Sequence, residues 1–342
     1  MKRGLTLAAA TAVALALAGV ALAANTASIS VTHTPMASSS SQATTIHVKI
    51  PQATDPIARI AIYVPNGYTA NLSAAAGATI GQVSASAFAH DNGLVLPLSG
   101  AVVADSVAAH AADAALCSPN PTAVWNLNLS VAGQSVTVPL YVSPTSGDET
   151  ALGAYRLVIC LPPPDVPADT PGRAVFGVQV LDALFTVNGI FTTPSSPTTE
   201  GWQALYTPYN PGVGTVNALG TFEAQALVGV PATVKMKAVG VKHKTYKVTG
   251  TVTEGTSPGA GVAVTLYRGS KKIAGATTGA GGTFSFSGKL AKGTNAFQVR
   301  AAAPERTVAC VSPLPPTVAP AGCTGATLSS WKAASATAKV KK

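Results

Sequence analysis

From Thr44 onward the chain alternates apolar and polar residues in short runs that Gly, Pro and Asn interrupt. Ile46, Val48 and Ile50 share one face, and Ile60 and Ile62 repeat the pattern before the turn Pro65-Asn66-Gly67. A period of two marks a strand with one buried face. The same pattern recurs over residues 80–87 and 94–98. It is strict in Trp125, Leu127, Leu129 and Val131, which makes Trp125 a core residue, and it resumes over 136–142 beyond Gly133-Gln134, as in a hairpin. Residues 155–161 carry Leu157 and Ile159 on one face and Cys160 on the other, and Pro162-Pro163-Pro164 blocks continuation. Residues 174–191 are long, apolar and β-branched, which predicts two strands or one strand bent near Asp182. Residues 202–206 and 221–227 predict a further hairpin. The main helical candidate is the alanine-rich stretch 101–116, expected to hold one short helix or turn.

These runs predict an all-β, multi-domain β-sandwich protein with at most one or two short helices. Residues 24–43 are small and polar, with a serine run at 38–41, and are expected to be a flexible lead-in. Residues 44–230 are expected to form a large N-terminal β-sandwich region, as one sandwich or two small packed ones. At residue 231 the composition shifts to Lys and Val, and residues 231–342 are expected to form a second, smaller sandwich.

Residues 1–23 predict a signal peptide: a basic start at Met1-Lys2-Arg3, an uncharged apolar stretch over 5–20, and the small-x-small motif Ala21-Leu22-Ala23. A membrane anchor is the competing use of that stretch; its weak, alanine-rich hydrophobicity and its cleavage motif favour export. No later segment is apolar enough to span a bilayer. The expected location is extracytoplasmic, in the periplasm or at the cell surface. Four cysteines, Cys117, Cys160, Cys310 and Cys323, then predict disulfides, with three pairings available. The sequential pairing, Cys117–Cys160 and Cys310–Cys323, keeps each bridge within one expected domain. No Cys-x-x-Cys is present, which disfavours zinc.

Charge changes the picture most. The chain carries 22 Lys and Arg against 13 Asp and Glu, a net charge of +9. Residues 24–230 hold four basic and eleven acidic residues, whereas 231–342 hold sixteen basic and two acidic ones, Glu254 and Glu305. Such asymmetry points to a surface that meets a polyanion. In an exported chain, anionic cell-envelope polymer or glycan is the expected partner, and nucleic acid is not. The candidate polyanion-binding residues are Lys235, Lys237, Lys242, Lys244, Lys247, Lys271 and Lys272. The plainer use of these lysines is a solvated face that blocks edge-to-edge aggregation.

Residues 246–300 are the most legible part. Val248-x-Gly250-x-Val252, Pro258 before Gly261-Val262-x-Val264, Gly279, and Gly282-x-Phe284-x-Phe286 together resemble a carboxypeptidase-regulatory-like (transthyretin-like) module, within the broad set of bacterial Ig-like β-sandwiches. The resemblance implies a non-catalytic spacer, adhesive unit or carbohydrate-binding-like fold, and it brings no metal-site residues. The N-terminal part resembles no family.

Chemistry-bearing motifs are sparse. There is no Gly-x-Ser-x-Gly elbow, Walker loop or His-Glu-x-x-His. His110 with Asp113 suits acid–base or metal chemistry only on a helix, and His33, Met36 and His47 could bind copper only if brought together. Trp202, Tyr206 and Tyr209 are a candidate glycan-stacking platform, with core packing as the alternative. No cofactor and no metal are expected, and nothing specifies an oligomeric state. The expected function is that of a non-enzymatic surface or matrix protein of structural or adhesive type that docks on anionic envelope polymer through its basic domain. A carbohydrate-binding protein and an exported hydrolase are the alternatives.

Overall fold

A computed structural model describes residues 26–34, 39–131, 134–195, 200–228, 232–254 and 257–342. The expected signal peptide, 1–23, lies outside the described residues, as does Met36. The protein is all-β. Its first strands are β1 (Ser28–Thr34), β2 (Ser41–Lys49), β3 (Ile57–Val64), β4 (Thr69–Ala70), β5 (Thr79–Ala89), β6 (Leu94–Asp105), β7 (Ala123–Val131), β8 (Gln134–Pro144), β9 (Tyr155–Cys160), β10 (Val178–Thr192), β11 (Glu200–Pro208) and β12 (Phe222–Val228). Then come β13 (Ala232–Val241), β14 (Thr245–Glu254), β15 (Ser257–Pro258), β16 (Ala263–Arg268), β17 (Lys271–Thr277), β18 (Thr283–Lys289), β19 (Thr294–Ala303), β20 (Arg306–Val308), β21 (Cys323–Leu328), β22 (Trp331–Ala334) and β23 (Ala338–Lys341).

The N-terminal strands form one sheet in the order β1-β2-β10-β5-β6-β7-β8-β9-β3-β11-β12-β21-β20, with β4 on β10. This sheet wraps around one contiguous core that includes Ile29, Ile46, Val102, Trp125, Phe185, Phe191, Trp202, Tyr206 and Phe222. The wrap is completed by side chains: Thr324 Oγ1 donates to Ala27 O at 3.2 Å, Tyr206 OH to Ser28 O at 3.4 Å, and Ser329 Oγ to Val31 O. The register of β10 on β5 shifts between Val180 and Asp182, which is the bend expected near Asp182.

One sequence expectation is corrected here. The lead-in contains a strand, β1, because Ile29 and Val31 alternate into the core; its serines and threonines disguise a good β sequence. The helical candidate, 101–116, holds one short helix near Cys117, as expected. Residues 101–105 belong to β6, where Val102 and Ala104 face the core, and helix begins only with a 3₁₀ turn at Val107–His110 that leads into α1 (Ala111–Cys117).

The C-terminal sandwich packs β13, β14, β15 and β18 against β17, β16, β19, β22 and β23. Val248, Val252, Val264, Leu266, Phe284, Phe286, Phe297 and Trp331 fill the space between. Gly250 is required there: a Cβ would meet Lys235 O at 2.1 Å and Phe284 Cζ at 2.5 Å.

The expected division at residue 231 does not hold for β20 and β21, which join the N-terminal sheet. There β21 runs parallel to β12, with Gln225 opposite Ala326. Buried Glu223 and Gln225 explain the return. Glu223 Oε2 accepts from Leu314 N at 2.8 Å, while Gln225 accepts from Val311 N at 2.8 Å and donates to Val311 O at 3.0 Å. Two polar side chains that would be costly to bury alone are satisfied by the loop that Cys310 and Cys323 close. The bridges are Cys117–Cys160 and Cys310–Cys323, the sequential pairing, with Cα separations of 5.9 and 6.5 Å. They suit an oxidising, extracytoplasmic environment. Among the described residues no helix is long and apolar enough to cross a membrane.

Candidate functional site

Strands β13, β14 and β18 alternate strictly, so one face enters the core and the other meets solvent. Cross-strand partners show which residues share the outer face. Lys235 lies opposite Thr251, Lys237 opposite Thr249 and Val239 opposite Lys247. On the next strand Thr249 lies opposite Ser285, Lys247 opposite Ser287 and Thr245 opposite Lys289. Directly paired residues point to the same side of a sheet. The outcome is a three-stranded face of lysine ammonium groups set among threonine and serine hydroxyls. Thr233 and Thr253 extend the hydroxyl rows, their Oγ1 atoms 2.6 Å apart. Lysines two apart on a strand stand about 7 Å from one another, and neighbouring strands are about 4.8 Å apart. Cationic heads are therefore presented at the spacing of a closely charged polymer.

Among the described residues no carboxylate lies on this face. Glu254 turns away to accept from Trp331 Nε1 at 2.6 Å and to pair with Arg306 at 3.2 Å. Among the described residues no lysine of 231–342 lies within ion-pair distance of a carboxylate. Their charges add to one positive field.

Of the lysines singled out from sequence, Lys235, Lys237 and Lys247 share this face, and Lys242 and Lys244 sit on the 3₁₀ turn at its end. Lys271 and Lys272 instead lie on β17, in the other sheet, where Lys272 opposes Tyr267. Lys289 belongs to the face and was missed. The alternation of 283–287 shows hydrophobic positions inward, and continuing it two residues would have found Lys289. The outer face of the second sheet is also basic. Arg300 stacks on the Tyr267 ring at 4.3 Å, beside a shallow groove of about 430 Å³ floored by Ala263, Thr265 and Ala302.

The glycan platform is corrected. Trp202 and Tyr206 are fully buried and Tyr209 nearly so. Trp202 lies edge-on to Phe191 and Tyr68, Tyr206 stacks on Phe222, and Tyr209 OH donates to Leu161 O at 2.6 Å. On a strand whose inner face is the core, same-side aromatic residues pack rather than display.

The histidines are not gathered. His110 Nε2 lies 3.0 Å from Asp105 Oδ2 rather than on Asp113, and His47 Nε2 lies 2.9 Å from Asp182. His33 is buried between Thr44 Oγ1 at 3.1 Å and Tyr68 OH at 2.7 Å. No metal-holding group of His, Cys, Asp and Glu occurs among the described residues. In the polar cluster near the first disulfide, Glu149 accepts from Arg156 at 2.6 and 2.7 Å and from Tyr63 OH at 3.2 Å. Burial, with the Glu149 charge second, pushes the Tyr63 phenol up to about 12, the reverse of nucleophile activation.

His33 carries a pH prediction. Burial lowers it from 6.5 to about 4. The unfolded chain takes up a proton near the higher value that the folded chain refuses until the lower one. The contribution is fully present above the unfolded value and is lost as pH falls across that window, by about 3 kcal/mol in all at ~1.4 kcal/mol per unit. Urea midpoints measured between neutral and mildly acid pH should fall for the parent chain, and His33→Gln should remove that part of the slope. An unchanged slope would show that His33 does not titrate in this way.

Comparison with protein-family models and with curated proteins finds no match for this chain.

Proposed function

We propose that this is an exported, non-enzymatic surface or matrix protein whose C-terminal sandwich docks on anionic cell-envelope polymer. The observation that carries the reading is the lysine and hydroxyl face of β13, β14 and β18, which has no carboxylate among the described residues to neutralise it. Ammonium groups supply long-range attraction to a polyanion, and hydroxyls supply short hydrogen bonds to its acid oxygens. A flat, pleated surface lets an extended chain meet many of these groups at once. The basic start and small-x-small motif of residues 1–23, together with two disulfides, support export. The resemblance of residues 246–300 to carboxypeptidase-regulatory-like modules supports a spacer or adhesive role. The carbohydrate-binding alternative loses its platform, since the rings at 202, 206 and 209 are buried.

The test is retention of the full chain on an immobilised polyol-phosphate polymer, with a neutral glucan as control. Retention is expected at about 20 mM salt and is expected to be lost near 500 mM, where the screening length is only ~4 Å. Replacing Lys235, Lys237 and Lys247 by Gln should weaken binding on the order of 100-fold, at about 1 kcal/mol per lysine near an anionic surface. Lys271→Gln with Lys272→Gln should weaken it less. Equal retention on the glucan, or a triple variant that binds as before, would refute the reading.

A further inference from the structure

The two ends of the molecule differ in a way that the sheet face does not explain. Strand β12 runs from Phe222, at one pole of the N-terminal sandwich, to Val228, at the end that leads on to β13. At the Phe222 pole the loops 90–95, 161–177 and 209–220 are knitted together. His90 N donates to Gly177 O at 3.1 Å, Ala174 N to Pro163 O at 2.9 Å and Gly212 N to Asp165 Oδ2 at 2.7 Å. Arg173 pairs with Asp91 and donates to Val166 O at 2.8 Å. These fixed loops leave apolar side chains in solvent: Phe176 is 55% exposed, Val175 68% and Leu219 81%. Phe176 also has φ +55°, a left-handed conformation that a bulky residue adopts at a cost. The chain thus holds an aromatic ring outward in a strained conformation. The same loops contain Asp91, Asp165 and Asp169 against one basic residue, Arg173.

The opposite pole belongs to the C-terminal sandwich. There the β13–β14 turn, the β18–β19 loop and the chain end converge: Leu290 N donates to Lys244 O at 2.8 Å and Lys342 N to Gly293 O at 3.1 Å. This end carries Lys242, Lys244, Arg268, Lys292 and Lys342, with Val241 49% exposed among them. The two acids of residues 231–342 sit at the other end of that sandwich, Glu254 on Arg306 and Glu305 on Lys49.

One pole is therefore apolar with a rim whose acids Asp165 and Asp169 remain beyond the Asp91–Arg173 pair, and the other is basic with an exposed Val241. We propose that copies of this chain join head to tail, the loop pole of one seated on the basic pole of the next. Two different patches meet in such a contact, so each added copy presents a fresh head and a fresh tail, and the assembly stays open-ended unless its rotation closes a ring. The inference rests on the poles and not on the polymer-docking face, so the triple glutamine variant of that face should assemble normally.

The experiment is sedimentation velocity of the full chain over a concentration series at about 20 mM and about 500 mM salt. A head variant combines Phe176→Asn with Leu219→Ser. Asparagine tolerates φ > 0, so this chain should fold at least as well at residue 176. A tail variant combines Lys242→Glu with Lys292→Glu. The parent is expected to grow with concentration at low salt and to dissociate at high salt. Each variant alone should stay monomeric. An equimolar mixture should give a one-to-one complex that grows no further, since only one working head and one working tail remain. A monomeric parent throughout, a variant that still self-associates, or a mixture that stays monomeric would overturn the proposal.

Discussion

Trp202→Ala is expected to cost about 3–5 kcal/mol of folding stability, the range for removing a large aromatic side chain from a packed core. The indole is fully buried on β11, between β3 and β12, with Phe191 at 5.7 Å and Tyr68 at 5.6 Å, both edge-on. His33 lies at 6.3 Å. Strands pinned on both sides cannot close on a cavity without breaking register, so little of the loss is recovered by relaxation. Trp202→Phe should be much milder. It keeps most of the volume and removes an indole N–H that has no hydrogen-bond partner among the described residues. Chemical denaturation of both variants decides the matter. A ring on the surface would give changes within about 0.5 kcal/mol for either substitution.

The second large effect belongs to the disulfides, which should contribute unequally. Replacing Cys117 and Cys160 together by Ser opens a cross-link between residues 43 apart, worth about 4 kcal/mol on the chain-entropy account. Residues 310 and 323 are only 13 apart, which gives about 3 kcal/mol. Local structure sharpens the difference. Helix α1 has seven residues, too few to persist alone, and Cys117 ties its last turn to β9. Without that bond α1 should fray, and amide exchange in 111–117 should accelerate while β7 and β8 keep their protection. The second loop has other anchors, since Glu223 and Gln225 hold its backbone at Leu314 and Val311. Denaturation midpoints of the two double variants test the order. A larger loss for the 310–323 pair would contradict it.

Much of this fold was legible because alternation survives in the sequence wherever one strand face is buried. Trp125 to Val131, the hairpin at 202–227 and the bend near Asp182 all follow from a period of two. What alternation cannot supply is the identity of a strand's neighbours. Nothing local shows that Cys323–Leu328 leaves the C-terminal sandwich to run parallel to β12. Glu223 and Gln225 alternate with the core residues Phe222, Ala224 and Ala226, so they read as an ordinary polar outer face, and only the returning 311–314 loop and β21 bury them. Strand β1 was hidden by its serines and threonines. The glycan platform failed for a related reason: the same-side spacing of Trp202 and Tyr206 shows that they share a face, and only the layer above shows whether that face is wet. The lysine cluster was visible as charge, yet its division between a flat face, an end turn and a second sheet required the register of β13, β14 and β18.

The central claim is that an uncompensated lysine and hydroxyl face on this sheet takes an anionic polymer. Acylation of lysines in the intact chain, with and without the polyol-phosphate polymer and read residue by residue by mass spectrometry, tests it most directly. The account predicts protection at Lys235, Lys237, Lys247 and Lys289, with Lys49 on the N-terminal sandwich and Lys332 on the opposite sheet modified as before. Protection centred on Lys332, or spread evenly over every lysine, would contradict it.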